Sequence, residues 1–321
     1  MSPDGHSRSA GQHHLLGMGC MVVAAILFPV KDSFIKAQDE RVPILLAIGI
    51  YFGFQSLIAT GILVCLRGHR LRNPFTDFSA LTLARSTALA SSLGIFFVSL
   101  RFVPIANAVT LFTMQGLFCL IFAHLLLGER MRPIHLLFLA LASVGVVIIV
   151  KPTGMEEHLL VNGLPILSAA FFGLYIVLTR MVPRCYHPVE LLFQDGAFAG
   201  IAFIMVYIAW TQMTGVGLTA SHPDIATVIA APAIAALIGT ISSLMMINAA
   251  RLTPAAKLAP ISYLEIVSAS FIGVFVFAEI LAPSTIMGMV IIVSVCLANA
   301  MTAERPATKN PGCEPRGFGY S

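Results

Sequence analysis

From Leu15 onward the sequence is a succession of apolar runs, separated by charges, glycines or prolines. A helix needs about 20 apolar residues to cross a ~30 Å hydrocarbon core, since it rises about 1.5 Å per residue. In lipid every backbone N–H and C=O must be bonded inside the segment, so runs of this length fold as spanning helices. Ten can be counted, at roughly 15–37, 43–66, 79–100, 104–127, 133–150, 160–180, 188–210, 226–249, 255–278 and 283–302. Only 11% of residues are charged and 58% are apolar, against about 25% charged in soluble domains. That leaves too little polar surface to cover a soluble protein. The expected fold class is an all-α membrane protein with ten transmembrane helices.

The first run does not read as a cleaved leader, because it carries Lys31 and Asp32 late and lacks a small-residue cleavage pattern. The polar residues ahead of it (1–14) and the Pro/Gly-rich segment 303–321 are expected to be disordered. None of the six cysteines forms a C-x-x-C pair, so they read as reduced apolar fillers, with neither a disulfide framework nor a metal site. The net charge of +4 is no sign of nucleic-acid binding; its distribution sets orientation instead. With the N-terminus inside, the inner segments hold twelve Lys/Arg: Arg8, Arg67, Arg70, Arg72, Arg130, Arg132, Arg180, Arg184, Arg251, Arg305, Lys309 and Arg316. The outer segments hold four, Lys36, Arg41, Arg101 and Lys151, while Lys31, Arg85 and Lys257 lie within runs. Both termini are therefore expected on the cytoplasmic side of the membrane.

Shifting the sequence by 150 positions lays 102–135 on 252–285 without a gap. Pro104 then meets Pro254, Ala106 meets Ala256, Glu129 meets Glu279, and Pro133 meets Pro283. Each proline opens a run, where its missing N–H costs nothing, and each glutamate closes one. Five runs per half is an odd number, so the second half enters the membrane from the opposite side. The expectation is two inverted five-helix repeats, 15–151 and 160–302, joined by a linker at 152–159. Many secondary transporters use this arrangement for alternating access.

The elements L-R-F-V-P-I-A-N-A (100–108) and L-L-G-E-R (126–130), with their echo at 252–279, resemble the two halves of the EamA family of the drug/metabolite transporter superfamily. The resemblance spans about residues 17–302. It implies ten helices, an inner-membrane location and transport of small organic metabolites. Many relatives carry an arginine early in the second helix, where this chain has Gln55.

An acid at mid-bilayer costs roughly 2.5–3.5 kcal/mol on insertion scales and so calls for a function. Glu265 lies near the middle of its run, and its repeat mate Gln115 lies equally deep in the fourth. Midplane polar groups at a repeat interface are where an inverted-repeat transporter holds substrate. The candidate substrate-binding residues are Glu265, Gln115, Tyr263, Ser262, Asn107, Thr110, Tyr175 and Gln55, with Glu265 also the candidate for carrying a coupling proton. Ser262, Glu265 and Ser268 fall on one helix face, with Ile266, Phe271 and Val274 on the other. Lys31 and Asp32, as neighbours in sequence, are expected to point apart. Arg85 is expected to snorkel toward the nearer surface. Glu129 and Glu279 oppose the helix dipole where they stand, and so are expected to find a cation or a facing helix N-terminus.

An enzyme would want clustered acid–base or metal-ligating residues at one interface, and a channel would want a ring of like charges or a filter loop. No G-x-x-x-x-G-K-[ST] motif supports an ATP-driven pump. A secondary transporter of a small molecule, without a cofactor, is the reading left. Few basic groups, one midplane acid and several aromatics favour a vitamin- or cofactor-like heteroaromatic solute such as riboflavin. An amino acid or S-adenosylmethionine is the alternative.

Overall fold

The computed structural model describes residues 4–39, 41–65, 79–128, 133–150, 156–182, 186–215, 225–252, 261 and 264–302. Eleven helices account for nearly all of them: α1 (Asp4–Lys36), α2 (Ile44–Cys65), α3 (Ala80–Ser99), α4 (Ile105–Phe112), α5 (Gln115–Leu127), α6 (Pro133–Val150), α7 (Glu156–Met181), α8 (Pro188–Thr214), α9 (Ile225–Leu252), α10 (Leu264–Phe277) and α11 (Pro283–Thr302). Helix α1 starts at Asp4, well ahead of the first apolar run. A helix already nucleated in lipid extends cheaply into polar sequence, so part of the segment expected to be disordered is helical. The segment 303–321 lies outside the described residues.

The fourth expected span is two helices, α4 and α5, that together cross as one unit of 23 residues. The break falls at Thr113–Met114, where Thr113 N–H is shared between Val109 O (3.0 Å) and Thr110 O (3.2 Å) and Met114 N–H reaches three residues back to Leu111 O (3.2 Å). Two threonines sit at the break. Thr110 Oγ1 donates to Ala106 O (2.7 Å) and Thr113 Oγ1 to Thr110 O (2.6 Å). Such hydroxyl bonds back to the preceding turn compete with the helix ladder and bend it.

Helix contacts repeat under exchange of the halves, with α1 equivalent to α7, α2 to α8, α3 to α9, α4–α5 to α10, and α6 to α11. The contact of α1 with α9 matches that of α3 with α7; α1 with α10 matches α5 with α7; and α2 with α9 matches α3 with α8. The pairs α2–α8, α4–α10 and α6–α11 map onto themselves. The chain is therefore a ten-span fold of two inverted repeats. Backbone detail agrees at equivalent places: Gly128 (φ 67°) and Ala278 (φ 52°), which are 150 positions apart, are both left-handed just before a repeat glutamate.

Close approach of α2 and α8 depends on Gly196. A Cβ there would lie 2.8 Å from Ser56 N and 3.0 Å from Phe52 O, which are backbone atoms that cannot step aside. Small residues at helix crossings replace the hydrophobic drive that is missing between helices in lipid. Inside, Ile48, Phe52, Phe96, Phe97, Ile105, Val109, Phe112 and Ile266 belong to one apolar core. Outside, α10 presents Val267, Phe271 and Phe275, and α8 presents Ile201 and Met205, as a lipid-facing surface.

Candidate functional site

Among the described residues, two buried clusters of charged side chains interrupt the apolar core. The first lies among α1, α2, α9 and α10. Lys31 Nζ bonds Asp32 Oδ1, and both side chains are almost wholly buried. The expectation that these neighbours point apart is overturned, because the long lysine arm folds back onto its own helix. Its ammonium also sits over the rings of Phe97 (5.1 Å) and Phe28 (5.7 Å). Tyr51 stands edge-on to Phe97 (5.3 Å) and Phe52 (5.1 Å). Gly239 of α9 leaves the room this group needs: a Cβ there would meet Tyr51 Oη at 2.5 Å and Lys31 Cδ at 2.9 Å. Glu265 of α10 completes the cluster, close enough to interact electrostatically with both Lys31 and Asp32. On the same face Ser268 donates to Ile26 O (3.2 Å) and ties α10 to α1. Pro29 loosens α1 there by removing a helix donor.

The second cluster lies among α3, α7 and α8, the equivalents of α9, α1 and α2. Arg85 Nη2 donates to Asp195 Oδ2 (2.5 Å) and reaches Tyr175 Oη (3.3 Å), while Nε donates to Thr179 Oγ1 (3.0 Å). Ser86 Oγ donates to Asp195 Oδ1 (2.6 Å). The guanidinium lies over the Tyr175 ring at 5.1 Å, and Arg85 is 1% exposed. It does not snorkel, because an anion from α8 meets it within the core. Tyr175 in turn begins a line of ring contacts to Phe172 (5.4 Å), Phe112 (5.2 Å) and Phe96 (4.9 Å).

The remaining candidates are distributed around these clusters. Gln55, Asn107 and Gln115 each have a buried amide oxygen with no partner among the described residues. Buried polar atoms are nearly always bonded, so these three acceptors stand out among the described residues. Thr110 is fully buried, and its hydroxyl is committed to its own helix. Ser262 and Tyr263, along with Lys257 and Glu129, lie outside the described residues. Sequence reasoning missed both charge pairings. The available signal was charge balance, since a cation and an anion in adjacent apolar helices satisfy each other far more cheaply than either does alone.

At the end where α1 finishes, a third polar group closes the bundle. Glu279 accepts from Ile105 N–H at 3.1 Å through both oxygens and pairs with Lys36 at 2.7 Å. Lys36 also donates to Val103 O (3.0 Å). The facing-helix partner expected for Glu279 is thus α4, whose N-cap residue Pro104 offers no side-chain cap of its own.

The helix contacts thus define a membrane-spanning pair of inverted halves, with one buried charge pair within the first half and a second that bridges the two. The EamA-like transporter family matches residues 14–151 and 160–300, and the chain belongs to that family. It is a multi-pass membrane protein and a transporter, not an enzyme. Among curated proteins it is 26% identical over 290 residues to the pseudopaline exporter CntI of Pseudomonas aeruginosa, covering 89% of this chain and 96% of that protein. It is also 26% identical over 151 residues to a riboflavin transporter of Brucella anthropi, covering 47% of this chain and 51% of that one. A solved protein crystal structure superposes with a TM-score of 0.60 at 15% identity, covering 91% of this chain and 97% of its own, which shows the shared fold alone.

Proposed function

We propose that this protein is a secondary transporter of the cytoplasmic membrane that moves a small organic metabolite by alternating access. Its halves, 15–151 and 160–302, rock about a central site, and both termini are cytoplasmic. The observation that carries this reading is the repetition of the helix contacts under exchange of the halves. An inverted pair of this kind lets a central site be reached from either face in turn.

Charge arithmetic in the first cluster supports a role for Glu265. Among the described residues, Lys31 balances one of the two acids, Asp32 and Glu265, which leaves one negative charge to be neutralised in a medium that tolerates none. A proton or a cationic group on the solute can do this, and not both at once. Glu265 therefore exchanges a proton for the solute's cation. The amide oxygens of Gln55, Asn107 and Gln115 supply further acceptors. The 26% identity to an exporter over both halves favours outward movement of the solute.

A second reading, a flat heteroaromatic solute of the riboflavin kind, is favoured by the aromatic line from Phe96 to Tyr175 and by the half-length relative. Proteoliposomes with an imposed pH gradient, challenged with amine-bearing metabolites and with riboflavin, separate the two. The expected result is gradient-driven movement of an amine-bearing solute that Glu265→Gln abolishes. Undiminished and still pH-dependent transport by Glu265→Gln discards the coupling role.

A further inference from the structure

We infer that Gly273 is a positioning residue for the transport cycle: it seats the Glu279 carboxylate and so latches shut the end of the bundle at which α1 finishes, the outer end in the orientation proposed above. The inference rests on the alternating-access reading and names the device that holds one of its two ends.

The seat is built by the turn that ends α10. Ala278 lies in the left-handed region (φ 52°), and the chain folds back so that Glu279 N–H donates to Gly273 O at 2.9 Å. This lays the Glu279 side chain against its own helix, on the side that meets α4. A Cβ at Gly273 would stand 2.5 Å from Glu279 Oε2, 3.4 Å from its Cδ and 3.2 Å from Ile105 Cγ2. The carboxylate thus occupies the volume that any other residue at 273 would fill, and from there it reaches Ile105 N–H and Lys36 at once. Of the neighbouring atoms, the glutamate oxygen stands at the end of a flexible side chain, so it is the one that yields to a methyl group. Its departure leaves Lys36 with Val103 O (3.0 Å) and the Phe277 ring (5.4 Å). The α4 N-terminus has no such substitute, because its N-cap residue Pro104 makes no side-chain cap. Alanine itself suits a helix better than glycine, so a methyl at 273 breaks the latch before it breaks the helix.

The first half lacks this seat. The residue 150 positions earlier is Ala123, and it is 2% exposed, so a side chain folded back there in the same way would meet a methyl group. The latch is one-sided. The solute-free protein therefore rests with its outer end shut and fills its site from the cytoplasm.

The test uses the full-length protein, otherwise free of cysteine, in right-side-out membrane vesicles. Thr110→Cys is the reporter, since Thr110 is fully buried in α4 beyond the capped end, and a membrane-impermeant maleimide is added outside. Gly273→Ala is expected to speed labelling at least about 10-fold, because the cap and the ion pair are lost together. Glu279→Ala is expected to do the same. In that background Gly273→Ala should add less than about twofold, since the oxygen that the methyl displaces is gone. Acceleration by Glu279→Ala with none from Gly273→Ala overturns the seat and leaves alternating access standing. So does an acceleration by Gly273→Ala that is as large in the Glu279→Ala background, because the methyl then acts through Ile105. If Gly273→Ala does not fold, the double variant decides: folding restored by Glu279→Ala supports the seat, and failure of both overturns it. Labelling unchanged by every variant, from either face of the membrane, removes the latch and the alternating-access reading together.

Discussion

Replacing Glu279 by glutamine should loosen the end of the bundle at which α1 finishes. The carboxylate joins three elements there: it caps the α4 N-terminus through Ile105 N–H and pairs with Lys36 of α1 from its place just after α10. Glutamine keeps an oxygen for Ile105 but loses the charge. Exposed ion pairs contribute about 0–1 kcal/mol, and breaking a fully buried one costs about 3–5 kcal/mol. With Lys36 at 15% and Glu279 at 11% exposed, an intermediate cost of about 2 kcal/mol applies. At about 1.4 kcal/mol per factor of ten, that shifts the closed-to-open ratio of this end roughly 30-fold. A cysteine at Thr110 reports the opening. It lies in α4 beyond the capped end and is fully buried in the closed arrangement. In a background otherwise free of cysteine, its maleimide labelling should accelerate between about 10-fold and 30-fold in Glu279→Gln. A change of less than about twofold would refute the view that this contact holds the end shut.

Three further outcomes are expected. Gly196→Ala should destabilise the protein by about 1–3 kcal/mol, because the new methyl meets the α2 backbone; an unchanged thermal midpoint in detergent would contradict the packing. Ala278→Gly should raise stability by about 0.5–1 kcal/mol, since Ala278 holds φ 52° where its repeat equivalent is Gly128; a lowered midpoint would count against that strain. In the turn between α1 and α2, hydrogen bonds from the Arg41 side chain and backbone N–H hold the Asp39 carboxyl below its ordinary range. Its contribution is therefore present above the unfolded aspartate pKa of about 3.9 and fades as pH falls through the lower folded value. A carboxyl ¹³C titration placing Asp39 at or above the ordinary value would remove that claim.

The ten spans and their inverted pairing were legible because both rest on local properties: run length, the prolines that open helices and the glutamates that close them. The split of the fourth span was not, since Thr110 and Thr113 are ordinary residues until their hydroxyls turn back onto the helix. The charge pairs failed for two reasons. Lys31 and Asp32 lie about 100° apart on an ideal helix, and only the flexible lysine chain brings them together. Arg85 and Asp195 are separated by 110 positions and meet only when α3 packs on α8. Glu265 was singled out from depth alone, without its neighbours on α1, because register between helices is set by the packed bundle.

Distances across both ends test the alternating-access claim most directly. Spin labels at Ala37 and Ile280 report one end, and labels at Leu127 and Met181 report the equivalent helices at the other; all four positions are exposed. When the transported solute is added to protein in nanodiscs, one distance should lengthen while the other shortens, and Glu279→Gln should bias the first pair toward the longer value. Two distances that move together, or neither moving with solute bound, would contradict a pair of inverted halves that exchange access to a shared site.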